Sequence, residues 1–207
     1  MPGFFGKIPS HGDFVTRDLP RGFLDGWDAW LQACIAESKK QLGDGWLDVY
    51  LTSPIWRFGL VAGVCGPQAW AGILMPSVDR VGRYFPLTIA APVQGQVTPL
   101  HLPASADPWF EALESAALRA LDDDRFDANA LREALARAGE PSVAAGRGET
   151  ASAMGKAWSL GVVGVQGGEI AAALAHTLVT RAAPSYSLWW TPGAADAQPA
   201  AVAVAAL

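Results

Sequence analysis

FGLVAGVCGPQAWAGILMPSV, Phe58 to Val78, carries no charged residue. The run is long enough to cross a bilayer as a helix, so its reading decides the class of protein. Gly59, Gly63, Gly66 and Gly72 interrupt it, and the Gly66-Pro67 pair falls in its middle. Glycine and proline at these positions divide the run into two short apolar segments, Leu60–Cys65 and Ala69–Met75, which read as a buried β-hairpin. Working outward, Ile55–Val64, Ala69–Met75 and Tyr84–Pro92 are expected to form three consecutive strands. Their near-continuous apolar character fits strands covered on both faces.

The flanking sequence supplies the covers. From Pro20 to about Gly43, Phe23, Leu24, Trp27, Trp30, Leu31, Cys34 and Ile35 recur at three- and four-residue spacing, the period of an amphipathic helix. Asp25, Asp28, Gln32, Glu37 and Lys39 lie largely off that stripe. Gly3–Ile8 reads as a short strand before a turn at Pro9–Gly12, and Trp46–Leu51 as a short helix or turn. Asp107–Leu121 and Asp127–Ala138 read as helices, the second with Asp127 as N-cap. Gly139–Gly155 reads as a loop, Trp158–Val165 as a strand, Glu169–Thr180 as a helix and Ser187–Thr191 as a last strand. The expected architecture is an α/β fold: a single-domain three-layer sandwich over residues 1–192. Its mixed β-sheet, with an antiparallel meander around 55–92, is flanked by helices on both faces. Residues 193–207, rich in Ala, read as a tail or one more edge strand.

Composition narrows the function. The chain has 207 residues, 51% of them hydrophobic and 17% charged, with a net charge of -5. Neutralising phosphates needs a basic surface, so neither nucleic acid nor anionic lipid is an expected partner. Nine tryptophans point first to a dense aromatic core, and second to exposed anchors for a protein partner. Cys34 and Cys65 show no CxxC pattern and read as buried free thiols. The segment MPGFFGKIPS lacks the apolar stretch of a secretory signal, which makes a cytoplasmic location the expectation.

Catalytic signatures are missing. There is no GxSxG elbow, and GETASAMGK (Gly148–Lys156) has neither the spacing nor the following hydroxyl of a phosphate-binding P-loop. GVVGVQGG (Gly161–Gly168) between a strand and a helix does not match the dinucleotide fingerprint, and its glycines serve close packing equally well. His11, His101 and His176 stand at no ligand spacing with each other or with the cysteines, so no metal or cofactor is expected. Ser10, His11 and Asp13 are triad residue types, but neighbours in one turn point apart and cannot converge. A Cys–His pair brought together in space is the nucleophilic arrangement left.

Two polar clusters stand out against the apolar background. Lys7, His11, Asp13 and Arg17 follow the first strand in one irregular stretch; they read as a loop site or as solvated turn residues. Asp79, Arg80 and Arg83 sit between apolar segments in PSVDRVGRYFPLT, Pro76–Thr88. A charge buried there must be paired, because an unpaired one costs several kcal/mol or more. The simpler reading is therefore a structural knot in which Asp79 and Asp13 match Arg80, Arg83 or Arg17. The other is a patch for an anion or a partner, using guanidinium forks.

Several stretches together resemble one family. GFFGKIPSHGDFVTRDLP (Gly3–Pro20), WDAWLQ (Trp27–Gln32), SPIWRF (Ser53–Phe58), WAGILMPSVDRVGRYFPLT (Trp70–Thr88) and SLWW (Ser187–Trp190) are similar to the TagF family of bacterial type VI secretion-associated proteins. The resemblance covers nearly the whole chain. It implies a compact α/β sandwich and a cytoplasmic accessory protein that represses the secretion machine after translation. The partner it implies is a forkhead-associated scaffold protein, and it implies no catalytic residues. On this reading Lys7, His11, Asp13, Arg17, Asp79, Arg80 and Arg83 are the candidate binding patch. The alternative is an enzyme or small-ligand binder with its site between the 7–17 and 79–83 loops. Whether copies of the chain associate is left open.

Overall fold

The computed structural model describes residues 1–94, 102–141, 150–154, 157–161 and 187–191. The apolar run around Gly66-Pro67 forms a hairpin, as its punctuation predicts. β3 (Trp56–Leu60) pairs antiparallel with β4 (Trp70–Met75), and β4 pairs antiparallel with β5 (Leu87–Pro92). Among the described residues no helix is long and apolar enough to cross a membrane. The meander extends on one side through β1 (Gly3–Gly6) to β2 (Val15–Arg17), and on the other to β8 (Ser187–Trp190). The resulting order is β2-β1-β5-β4-β3-β8.

Every pairing among these strands is antiparallel, where a mixed sheet was expected. The reason lies in the connections. Helix α1 (Arg21–Leu42) carries the chain from β2 at one edge to β3 near the other, so it brings no parallel neighbours together. The consecutive pairs β1–β2, β3–β4 and β4–β5 are joined without a crossover helix, which gives antiparallel pairs, while β1–β5 and β3–β8 join strands distant in sequence and are antiparallel as well.

Each face of the sheet has its own cover. Phe4, Ile73, Leu87, Ile89, Leu188 and Trp190 point to one side, against Phe110 and Leu113 of α4 (Asp107–Asp122) and Leu131 and Leu135 of α5 (Ala128–Ala138). Phe58, Leu60, Trp70, Ala90 and Trp189 point to the other, against Phe23, Trp27 and Leu31 of α1. The alternation along β4 and β8 is the period of two expected of strands, with apolar residues at both phases because both faces are covered. On the α1 side the aromatics meet directly: Trp27 lies 4.8 Å from Phe58 and 6.0 Å from Trp189 between ring centres. The Trp27 indole donates to Thr88 Oγ1 at 2.9 Å, which satisfies its polar edge inside this core. At α5 the expected Asp127 cap is present, its carboxylate accepting from the amides of Asn129 and Ala130.

Several boundaries differ from expectation. β3 ends at Leu60 rather than Val64, and Val61 to Gln68 form the turn. The strand expected from Tyr84 starts at Leu87, since Pro86 has no N–H for a ladder; Tyr84 instead forms an isolated bridge with Val78. Within the expected 139–155 loop lies β6 (Thr150–Met154), which pairs with β7 (Ala157–Gly161) in a separate two-stranded ribbon. Short α2 (Trp46–Leu51), the 3-10 turn Gly43–Gly45 that leads into it, and α3 (Leu102–Ser105) complete the elements among the described residues. Cys34 is exposed on α1 rather than buried, whereas Cys65 is buried. The helix expected at 169–180, the tail from 193, His101, His176 and most of the 161–168 glycine run lie outside the described residues.

Candidate partner-binding site

The sequence Pro76–Phe85 folds into a clasp between β4 and β5. Its turn closes with the Gly82 amide donating to the Asp79 carbonyl at 3.0 Å and the Asp79 amide donating to the Arg83 carbonyl at 3.1 Å. Gly82 has a φ of 83°, a left-handed conformation that glycine adopts without strain. Asp79 points inward and is buried. One carboxylate oxygen accepts from the amides of Val81 and Arg83, at 3.0 and 2.9 Å. The other accepts from Lys7 Nζ at 2.8 Å and from Arg83 Nε at 2.7 Å.

This arrangement sets the electrostatics. Burial alone would raise the Asp79 pKa. The Lys7 ammonium, the Arg83 amide and guanidinium, and the Val81 amide outweigh it, holding the carboxyl well below the usual carboxylate range. Asp79 is therefore ionised in the folded protein, and its charge is shared between two cations.

The clasp is stitched to the first loop from several directions. Ser77 Oγ donates to the Lys7 carbonyl at 2.7 Å, and the Arg80 amide donates to the His11 carbonyl at 2.9 Å. The Arg83 guanidinium reaches the Gly12 carbonyl. From the other side, the Tyr50 hydroxyl of α2 donates to the Ser77 carbonyl at 2.8 Å and accepts from the Ser77 amide at 2.9 Å. Burial pushes the Tyr50 phenol pKa up, so it stays protonated and can hold both bonds.

The seven sequence candidates separate into two groups. Lys7 and Asp79 belong to the interior, with side-chain exposures of 6% and 0%. His11 is half-buried, with its ring beside the Ser10 hydroxyl at 3.2 Å. Asp13, Arg17, Arg80 and Arg83 are exposed. Asp13 accepts from the Phe14 amide, and the Arg17 guanidinium donates to the Thr16 carbonyl. Arg17 lies on edge strand β2 rather than in a loop. The expected knot is thus present as Asp79 with Arg83, completed by Lys7 from the first loop; Asp13 takes no part in it.

Two features were not foreseen. Phe14 lies 45% exposed over the knot, with the Lys7 ammonium 5.0 Å from its ring centre and Phe85 at 4.8 Å. Arg57, alone in the apolar strand β3, is buried on the α4 side. Its fork meets Glu114 at 2.5 and 3.1 Å and also reaches Asp107, with the Phe110 ring 5.2 Å away. Burial disfavours its charge, but the two carboxylates overcome this and hold its pKa above the ordinary value. A lone arginine inside an apolar strand is a readable signal of such pairing, since an unpaired charge there is costly. No group of three or more metal-ligating side chains comes together among the described residues.

Comparison with known proteins places this framework. The crystal structure of PA0076 from Pseudomonas aeruginosa PAO1 is similar, with a TM-score of 0.75 and 37% identity, covering 94% of this chain and 84% of that one. No curated protein shows a significant match. The family model for the TagF N-terminal domain, described as type VI secretion system-associated, matches residues 3–138, which include the first loop, the clasp, α1 and both helices of the α4–α5 layer. The chain belongs to the TagF family of type VI secretion-associated proteins.

Proposed function

We propose that this protein is a cytoplasmic negative regulator of type VI secretion, acting after translation by binding the machine's forkhead-associated scaffold protein. The observation that carries this reading is family membership across residues 3–138. The clasp supports it in a second way. Arg80 and Arg83 are exposed and bond to the carbonyls of His11 and Gly12 in the loop that carries the exposed Phe14, and arginine and aromatic residues are of the kind enriched in binding interfaces. His11 and Asp13 lie in the loop bonded to the clasp, Arg17 stands further along on β2, and Lys7 and Asp79 hold the clasp in place from beneath. The protein works by occupying its partner, and Lys7 and Asp79 are engaged with each other rather than held ready for chemistry.

The test is co-elution of the purified protein with the forkhead-associated scaffold of the same secretion cluster on size exclusion. A stable complex is expected at micromolar concentration. Arg80→Ala is expected to weaken it by roughly tenfold with an unchanged melting temperature, because the Arg80 side chain makes no described ion pair. Absence of any complex at that concentration would overturn the scaffold reading.

A further inference from the structure

The exposed apolar residues of the described chain are not scattered evenly. Leu42, Leu47, Val49 and Leu51, with exposures of 43%, 36%, 51% and 55%, fall within ten positions at the end of α1 and along α2. Trp46 and Tyr50 of the same short helix turn inward, stacking at 4.9 Å, so the outer side of α2 is left apolar by design of the pattern rather than by fraying. Leu47 and Leu51 are four residues apart and share one face. Tyr50 also ties α2 to the clasp, through its two bonds to Ser77 and an edge contact with Tyr84 at 5.8 Å. The apolar strip of α2 and the cationic clasp are therefore neighbours on a common support.

We propose that α2 and the clasp form one docking surface for a protein partner that presents an apolar face bordered by carboxylates on one side. This rests on the scaffold-binding reading above and names the chemistry of the scaffold's contact face. The commitment to carboxylates comes from charge. The chain carries a net charge of -5, yet the clasp exposes Arg80, which makes no ion pair among the described residues, next to Arg83, whose Nε is held by Asp79 while its side chain stays half exposed. Asp44 and Asp48 adjoin the exposed leucines in sequence and Lys39 lies 4.5 Å from the Trp46 ring centre, so the α2 end carries both signs of charge and the clasp is the side where a partner's carboxylates are favoured. The apolar strip supplies buried area, and the arginines fix the orientation.

Binding of the scaffold to three proteins tests this: wild type, the double variant Leu47→Glu/Leu51→Glu, and Arg80→Glu. Both variants are expected to bind roughly tenfold or more weakly while melting as wild type does, since all three positions are exposed. Should the double variant melt lower, Leu51→Ser serves in its place with the same expected direction. Raising salt to about 0.5 M is expected to weaken wild type and to affect Arg80→Glu less. If Arg80→Glu loses binding while the α2 variants bind as wild type, the joint surface is overturned and the scaffold reading stands. If wild type itself fails to bind, both fall. Competition by a phosphothreonine peptide or by millimolar inorganic phosphate would overturn the carboxylate chemistry and assign the clasp to phosphate.

Discussion

Asp79 accepts four hydrogen bonds in an interior position, two from its own turn and two from Lys7 and Arg83, so its ionised form is built into the fold. Its depressed pKa has a definite consequence for pH. The unfolded carboxyl takes up a proton near its ordinary value of about 3.9, while the folded one stays ionised below that, so the unfolded state binds more protons there. The stability contributed by Asp79 is complete above about pH 4 and is lost as the pH falls further. Asp79→Asn is expected to lower the melting temperature at neutral pH, and to show a shallower fall in stability between about pH 4 and pH 2 than wild type. Equal slopes, measured by denaturant unfolding across that range, would show that the carboxylate is not the group responsible. The pairing of Asp79 with Arg83 was legible because the two lie in one turn. Lys7 was not legible as the third member, since it is 72 residues away in sequence and only the fold sets its distance.

At the scale of elements, legibility followed the covering of faces. The α1 stripe and the β4 and β5 segments could be read because their apolar spacing reports burial directly. Of the ribbon, β7 was legible as the start of the strand expected at Trp158–Val165, but β6 was not, because TASAM carries small and polar residues whose pairing comes from adjacency to β7 rather than from an apolar pattern. The sequence marks the clasp as unusual but not as a clasp: its tie to α2 rests on one tyrosine, through the Tyr50 hydroxyl and its ring contact with Tyr84. Gly72 illustrates a constraint of the central strand. A Cβ there would lie 2.2 Å from the Ile89 carbonyl oxygen and 2.7 Å from the Phe58 ring. Gly72→Ala is therefore expected to push β4 from β5 and to cost about 1–3 kcal/mol or more by overpacking. Chemical denaturation would read this as a lower midpoint, and a midpoint equal to wild type would mean that the strand relaxes without loss.

Across the whole molecule, one sheet serves two cores. The helices were expected on both faces and are found there, but the sheet's uniform antiparallel pairing depends on where α1 delivers the chain, which no local pattern encodes. Because β4, β5 and β8 contribute apolar side chains to both layers, neither layer can be lost without uncovering the other's floor. The two layers are expected to unfold together. Phe23 of α1 and Phe110 of α4 are 1% and 0% exposed, one in each core, and truncating either to Ala is expected to cost about 3–5 kcal/mol. The two substitutions differ in position but are expected to act alike on one shared transition. Tryptophan fluorescence, dominated on the α1 side by Trp27, Trp70 and Trp189, and far-ultraviolet circular dichroism, which reports all helices, should give coincident melting curves in wild type and in each variant. Separation of the two curves in Phe110→Ala, with the fluorescence change lagging behind loss of part of the helix signal, would show that the α1 layer and its face of the sheet stand alone. Coincidence would mean that a partner seated on the clasp and α2 stabilises the entire molecule, including the distant α4–α5 layer, since binding to the folded state alone shifts the single equilibrium.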